Sequence, residues 1–158
     1  DAASASSAPQ AFLGIGSDGR ASLVATTGNP DTSIILRGGA DGPNFDAEHV
    51  RRASERLDAA GRGTRLVVDA SHGNSGKDHL RQAEVAGELA AQIAAGDRAL
   101  AGVMLESNLV AGAQKLDVAV GPAGLTRGQG VTDACMGWEA SATALEQLAA
   151  GVRTRRAE

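Results

Sequence analysis

Four polar residues of this 158-residue chain each close an apolar run. Ser33-Ile34-Ile35-Leu36 runs into Arg37, and Leu66-Val67-Val68-Asp69-Ala70-Ser71 into His72. Leu100-Ala101-Gly102-Val103-Met104-Leu105 runs into Glu106, and Val131-Thr132 into Asp133. The gaps are 35, 34 and 27 residues, each about one strand plus one helix. A polar group at the C-terminal end of successive strands is how a β/α barrel assembles a site. One imidazole and two carboxylates form a nitrogen-and-oxygen donor set suited to a divalent metal. A guanidinium beside them suits a phosphate or carboxylate.

Each residue also has a plainer reading. Arg37-Gly38-Gly39 is either an anion clamp whose glycines let the backbone approach a ligand, or a surface arginine before a turn. A lone histidine after a strand is more often structural than a ligand. Glu106 is equally the first solvated residue of a loop, and Asp133 a loop N-cap. Their coincidence at equivalent strand ends favours a site. Cys135 shares a face with Asp133 if that segment is a strand, as a fourth ligand or as a small buried hydrophobe. Gly73-Asn74-Ser75-Gly76-Lys77 hints at a phosphate loop, but Ser71 and Asp78 break the Walker pattern on both sides. His49 and His79 fall on expected helices and read as solvated.

The elements that must position these residues are legible as periodicities. Residues 11–27 read as a hairpin turned at Ser17-Asp18-Gly19. Strand 33–37 follows, then a helix from an Asp46 N-cap to Ala60, with Val50, Ala53, Leu57 and Ala60 inward. Strand 65–70 leads to a helix over 77–95, with Leu80, Ala83, Val85, Leu89 and Ile93 inward. Strand 100–105 precedes a stretch, 107–130, with six Gly or Pro residues, which reads as a long loop. Strand 131–136 and a helix from Ser141 to about Arg155 close the chain, with Leu145, Leu148 and Val152 inward. Continuous apolar strands alternating with helices imply an α/β fold with a parallel sheet. Four strands are too few to close a barrel of eight.

Composition narrows the classes. Aromatics are 2% of residues, so the core is aliphatic. The formal charge is −4 and basic residues are scattered, which argues against nucleic acid as a partner. No run approaches the ~18 apolar residues of a membrane span, and no signal segment opens the chain. The single Cys fits a reducing cytoplasm. Residues 1–10 are small and polar and read as a flexible lead-in to a domain over 11–158.

The strings Ile34-Ile-Leu-Arg-Gly-Gly39, Asp69-Ala-Ser-His-Gly-Asn-Ser-Gly-Lys77, Gly102-Val-Met-Leu-Glu-Ser107 and Val131-Thr-Asp-Ala-Cys-Met-Gly-Trp-Glu139 resemble the C-terminal half of a class I 3-deoxy-D-arabino-heptulosonate 7-phosphate synthase. The resemblance covers nearly the whole chain, hairpin included. It implies a TIM-type (β/α)8 barrel of which this chain supplies about the fifth to eighth strands, with the hairpin as an insert. It also implies condensation of phosphoenolpyruvate with erythrose 4-phosphate, releasing phosphate, as the first step of the shikimate pathway. Carried over by motif, His72, Glu106 and Asp133 match three of four ligands of one divalent metal (Mn, Fe, Co or Zn). Arg37 matches an arginine that holds the phosphoenolpyruvate phosphate. Asp133 lies where the erythrose 4-phosphate end binds, and His72 and Asp133 are the implied catalytic pair.

The family's metal-binding cysteine has no counterpart here, since Cys135 matches a neighbouring one. The Lys-Pro-Arg-Thr motif and the fourth-strand lysine are absent, Lys77 and Lys115 being the only lysines. Gly14 stands where relatives often carry a polar residue, which weighs against inhibition by an aromatic amino acid. With no initiator Met, the chain is expected to be a piece of a longer, cytoplasmic, homo-oligomeric protein, inactive without the other half of its barrel. Its sheet is expected to have open edges, with Ile35, Val67 and Val103 facing a missing barrel wall. The rivals are a non-catalytic half-barrel module that binds metal or phosphate, and a gene remnant without a stable fold.

Overall fold

The computed structural model describes residues 1–63 and 65–157. Thr64 and Glu158, both inside the 11–158 domain expected from the sequence, lie outside the described residues. Within residues 1–10, Ala2–Ser7 form the short helix α1. The hairpin follows as β1 (Gln10–Ile15) and β2 (Ala21–Thr26), antiparallel, with Phe12 opposite Val24. Gly19 takes φ +79° at the turn, which the Asp-Gly pair provides without strain. The backbone N–H of Asn29 donates to Ser6 O at 2.9 Å, tying α1 to the hairpin's exit. Leu13, Ile15 and Leu23 of the hairpin are exposed.

The rest of the chain is mixed α/β. Strands β3 (Ile34–Leu36), β4 (Leu66–Asp69) and β5 (Leu100–Met104) form a parallel three-stranded sheet in that order. Helix α2 (Ala47–Ala59) joins β3 to β4; the single turn α3 (His72–Ser75) and α4 (His79–Ala94) join β4 to β5. Strands β6 (Val110–Ala113) and β7 (Gln129–Gly130) pair in parallel, and α5 (Trp138–Ala157) ends the chain. No described helix is long and apolar enough to cross a membrane.

Side-chain alternation splits the sheet into two faces. Leu36, Val68 and Val103 stand in register on one face, and Ile35, Val67 and Gly102 on the other. The first face carries the core: Leu66, Val68 and Leu100 pack with Val50 of α2 and with Val85, Leu89 and Ile93 of α4. Leu148 and Val152 of α5 pack against the same cluster. The second face is open, with Ile35 48% and Met104 40% exposed. Val103 therefore belongs to the helix-covered core and not to the open face.

Other expectations need correction. The stretch 107–130 is not one loop. Side-chain amides organise it: Gln114 Nε2 donates to the carbonyls of Thr126 and Gln129, and Gln129 Nε2 donates to Ala111 O. Such bonds leave no hydrophobic period to read. The strand expected over 131–136 reduces to single bridges, Cys135 with Gly112 and Met136 with Ser107. The chain doubles back there; a Cβ on Gly130 would lie 2.7 Å from Asp133 O. Helix α4 starts at its Asp78 N-cap, and α5 starts at Trp138, ahead of Ser141. Ala60, Leu80 and Leu145 are exposed. The inward stripe of α5 is instead Ser141, Ala144, Leu148, Gly151 and Val152.

Two residues show how the helices are fixed. Gly151 lies so close to Ala90 O of α4 that a Cβ would collide with it. Ala at position 151 gains ~1 kcal/mol of helix propensity. We nevertheless expect Gly151→Ala to lower the urea midpoint, because α5 must lift off α4. At the start of α2, Asp46 accepts from His49 N–H (3.0 Å) and pairs with the His49 ring (2.6 Å). Slight burial works to raise the Asp46 pKa, but these bonds outweigh it and the carboxyl titrates below its ordinary value. A depressed folded pKa stabilises above the unfolded value and loses that contribution as pH falls through the folded one. Asp46→Ala should cost ~0.5–2 kcal/mol near neutrality, measured by urea unfolding. The gap should close below about pH 4.

Candidate metal centre

The open face acquires its chemistry at and just beyond the strands' C-terminal ends. Arg37 follows Ile35 by two residues, Asp69 follows Val67 by two, and Glu106 follows Met104 by two, so all three continue the same face. Arg37 Nε lies 3.4 Å from Asp69 Oδ2, with the arginine side chain 60% exposed and the aspartate fully buried. His72 follows β4 by three residues in a left-handed conformation (φ +49°), a strained position for a non-glycine residue. Its Nδ1 meets Asp69 Oδ2 at 2.8 Å and its Nε2 meets Glu106 Oε1 at 3.1 Å.

Asp133 arrives from the bend before Met136 and not from a strand end. Hydrogen bonds between Met136 N and Glu106 O (2.9 Å), and between Asn108 N and Met136 O (2.9 Å), hold that segment beside the end of β5. One donor atom from each of His72, Glu106 and Asp133 lies within 4.8 Å of the others. The three side chains are half-buried. A cluster of one imidazole nitrogen and two carboxylate oxygens at this spacing fits one divalent ion at bond lengths of roughly 2.0–2.2 Å. Cys135 is outside this group; its Sγ lies 3.6 Å from Asp133 O. Burial pushes the Cys135 thiol up, with the Glu106 and Asp133 carboxylates adding to it.

Residues that sequence reasoning passed over hold this arrangement. Asp69 appeared only as part of a motif, though an acid closing the run Leu66-Val67-Val68, three residues before a histidine, was a readable signal. Asn74 is fully buried. Its Nδ2 donates to Leu36 O (3.1 Å) and Asp69 O (2.7 Å), and its Oδ1 accepts from Asn44 N (2.8 Å). Asn44 Oδ1 in turn accepts from Gly38 N (2.7 Å). Gln82, on the buried side of α4, accepts from Glu106 N at 2.8 Å; a polar residue on an inward stripe was its signal. Lys77 (φ +64°) places Nζ 3.1 Å from Asp133 Oδ1, a contact across 56 positions that no local pattern foretells. Gly38 does not open space for a ligand. A Cβ there would sit 2.7 Å from Gly73 C, so the glycine lets two backbone loops touch.

A family model described as "DAHP synthetase I family" matches residues 1–146. This chain belongs to that family. It is 50% identical over 161 residues to phospho-2-dehydro-3-deoxyheptonate aldolase of Corynebacterium glutamicum, covering 99% of this chain and 43% of the relative. It is 43% identical over 156 residues to the Phe-sensitive enzyme of that name from Escherichia coli, again covering 99% and 43%. A solved phospho-2-dehydro-3-deoxyheptonate aldolase from Francisella tularensis superposes with a TM-score of 0.87 at 42% identity, over 98% of this chain and 44% of that one. The chain thus spans less than half the length of these DAHP synthetase I family relatives.

The donor set makes a direct prediction for this family member. Replacing His72, Glu106 or Asp133 singly by Ala should weaken Zn2+ binding in calorimetry by at least the roughly 10–100-fold that loss of a supporting group costs. Unchanged affinity in His72→Ala, or in both carboxylate variants, would remove the centre.

Proposed function

We propose that this chain supplies the C-terminal half, about strands five to eight, of a TIM-type (β/α)8 barrel with an inserted hairpin. Strands β3, β4 and β5 would be the fifth to seventh, and the Cys135–Met136 segment would stand in for the eighth. The carrying observation is the open sheet face, whose C-terminal rim bears Arg37, Asp69 and Glu106 beside His72 and Asp133. The catalytic face of such barrels lies at that end of the strands, and the relatives carry a further half of comparable length.

In the complete protein the activity would be condensation of phosphoenolpyruvate with erythrose 4-phosphate, with uptake of one water, to give 3-deoxy-D-arabino-heptulosonate 7-phosphate and phosphate. That is the first step of the shikimate pathway, carried out in the cytoplasm. His72 through Nε2, and Glu106 and Asp133 through carboxylate oxygens, would hold one divalent ion. Bound there, the ion supplies Lewis-acid polarisation of a carbonyl oxygen. Arg37, its Nε turned to Asp69, offers the outer edge of its guanidinium to the phosphate of phosphoenolpyruvate. That contact orients the enol phosphate for attack. Asp133 links His72 and Glu106 of the donor cluster to Lys77; the aldehyde substrate would enter there, with the Asp133 carboxylate and the Lys77 ammonium bordering that end. His72 and Asp133 are the residues on which the chemistry is proposed to turn.

The chain alone should release no phosphate dependent on both substrates. Each lost pre-organised electrostatic contact costs roughly 10²–10³ in rate, and several are contributed by the proposed first half. Its exposed sheet face should also drive self-association, seen as species above monomer mass in sedimentation. Co-expression with a family segment carrying the first four strands should restore a defined particle and turnover. A compact monomer that binds Zn2+ and gains no activity on co-expression would favour the non-catalytic binding module.

A further inference from the structure

The Asp69 carboxylate is fully buried and both of its oxygens are engaged. Oδ1 accepts from Ser71 N at 2.9 Å and from the Ser71 hydroxyl. Oδ2 faces His72 Nδ1 at 2.8 Å and Arg37 Nε at 3.4 Å. A carboxylate has no hydrogen to give, so each contact holds only if the partner carries one. Ser71 has a single hydroxyl hydrogen and directs it to Oδ1. It therefore has none for His72 Nδ1, which lies 2.7 Å from its oxygen. Nδ1 thus faces two acceptors, whereas Nε2 faces one, Glu106 Oε1 at 3.1 Å; only that second contact is one a shared cation can bridge, so the hydrogen is assigned to Nδ1.

We propose that Asp69 is a positioning residue that fixes His72 as the Nδ1–H tautomer. This leaves the Nε2 lone pair aimed at the point shared with Glu106 and Asp133. The inference rests on the metal-centre reading of those three residues. Outer carboxylates commonly set the tautomer and orientation of a ligating histidine. Here the same oxygen also anchors Arg37. One buried group therefore aligns the candidate metal ligand and the candidate anion holder, and the Arg37 guanidinium offsets the cost of burying its charge.

Asp69→Asn separates this role from packing, because the side chain keeps its shape and can present an NH2 to Nδ1. Long-range 1H–15N correlation spectra of the 15N-labelled chain, recorded ~2.5 pH units above the ordinary imidazole value, report the tautomer directly. In the parent, His72 should show a protonated Nδ1 and a bare Nε2, and Zn2+ should shift Nε2. In Asp69→Asn the hydrogen should move to Nε2 and Zn2+ affinity should fall roughly 10–100-fold. A parent spectrum with the hydrogen on Nε2 overturns the proposal, whether or not the variant folds. So does a folded Asp69→Asn chain with parental tautomer and Zn2+ affinity. Unchanged Zn2+ affinity in His72→Ala would instead overturn the metal-centre reading, and the proposal with it.

Discussion

Ile35, Val67 and Gly102 stand side by side across three hydrogen-bonded parallel strands. Because side chains alternate with a period of two, that register dictates what stands two positions further along β3 and β4, and four further along β5. Arg37 and Asp69 come within 3.4 Å of each other, and Glu106 reaches the His72 ring from the next strand. A one-residue slip in any strand would send its polar end to the helix-covered face, where no partner awaits it. The bulge between Leu66 and Val67 in the pairing with β5 therefore matters to the site as much as to the sheet.

A second layer of constraint is the buried polar lattice under the rim. Asn74 bonds the carbonyls of Leu36 and Asp69, and Asn44 bridges Asn74 to Gly38. Their hub, Asn74, is fully buried, where a satisfied polar network rigidifies its surroundings and a broken one is costly. They lock the loops after β3 and β4 together, which is why Gly38 and Gly73 must approach with no side chain between them. Gln82 performs the matching task for β5 by holding the Glu106 N–H. The rim is thus set by backbone hydrogen bonds to buried amides, and the charged side chains ride on it.

The distribution of polarity also explains the incomplete look of the sheet. One face buries Leu66 and Val68 entirely beneath α2 and α4. The other leaves Ile35 and Met104 substantially exposed, although a strand with apolar residues on both faces is normally covered on both. The chain belongs to the DAHP synthetase I family and its relatives are more than twice as long; the proposed second half-barrel would cover that open face.

The sequence by itself determined the elements with strong local signals. The hairpin, three parallel strands and α2 with its Asp46 cap are all written in alternation, period and turn residues. So were His72, Glu106 and Asp133 as candidates, because each follows an apolar run. Only the tertiary structure decided what those signals leave open. Asp133 reaches the cluster from a bend held by Met136 pairing to Glu106, not from the strand its apolar neighbours implied. Strands β6 and β7 depend on glutamine side-chain bonds, and α5 packs through Gly151 where Leu145 had the better hydrophobicity. Asp69, Gln82 and Lys77 gain their meaning from partners on other elements or loops. Local sequence encodes which face a residue takes, whereas the partner it meets there depends on how separate elements are brought together.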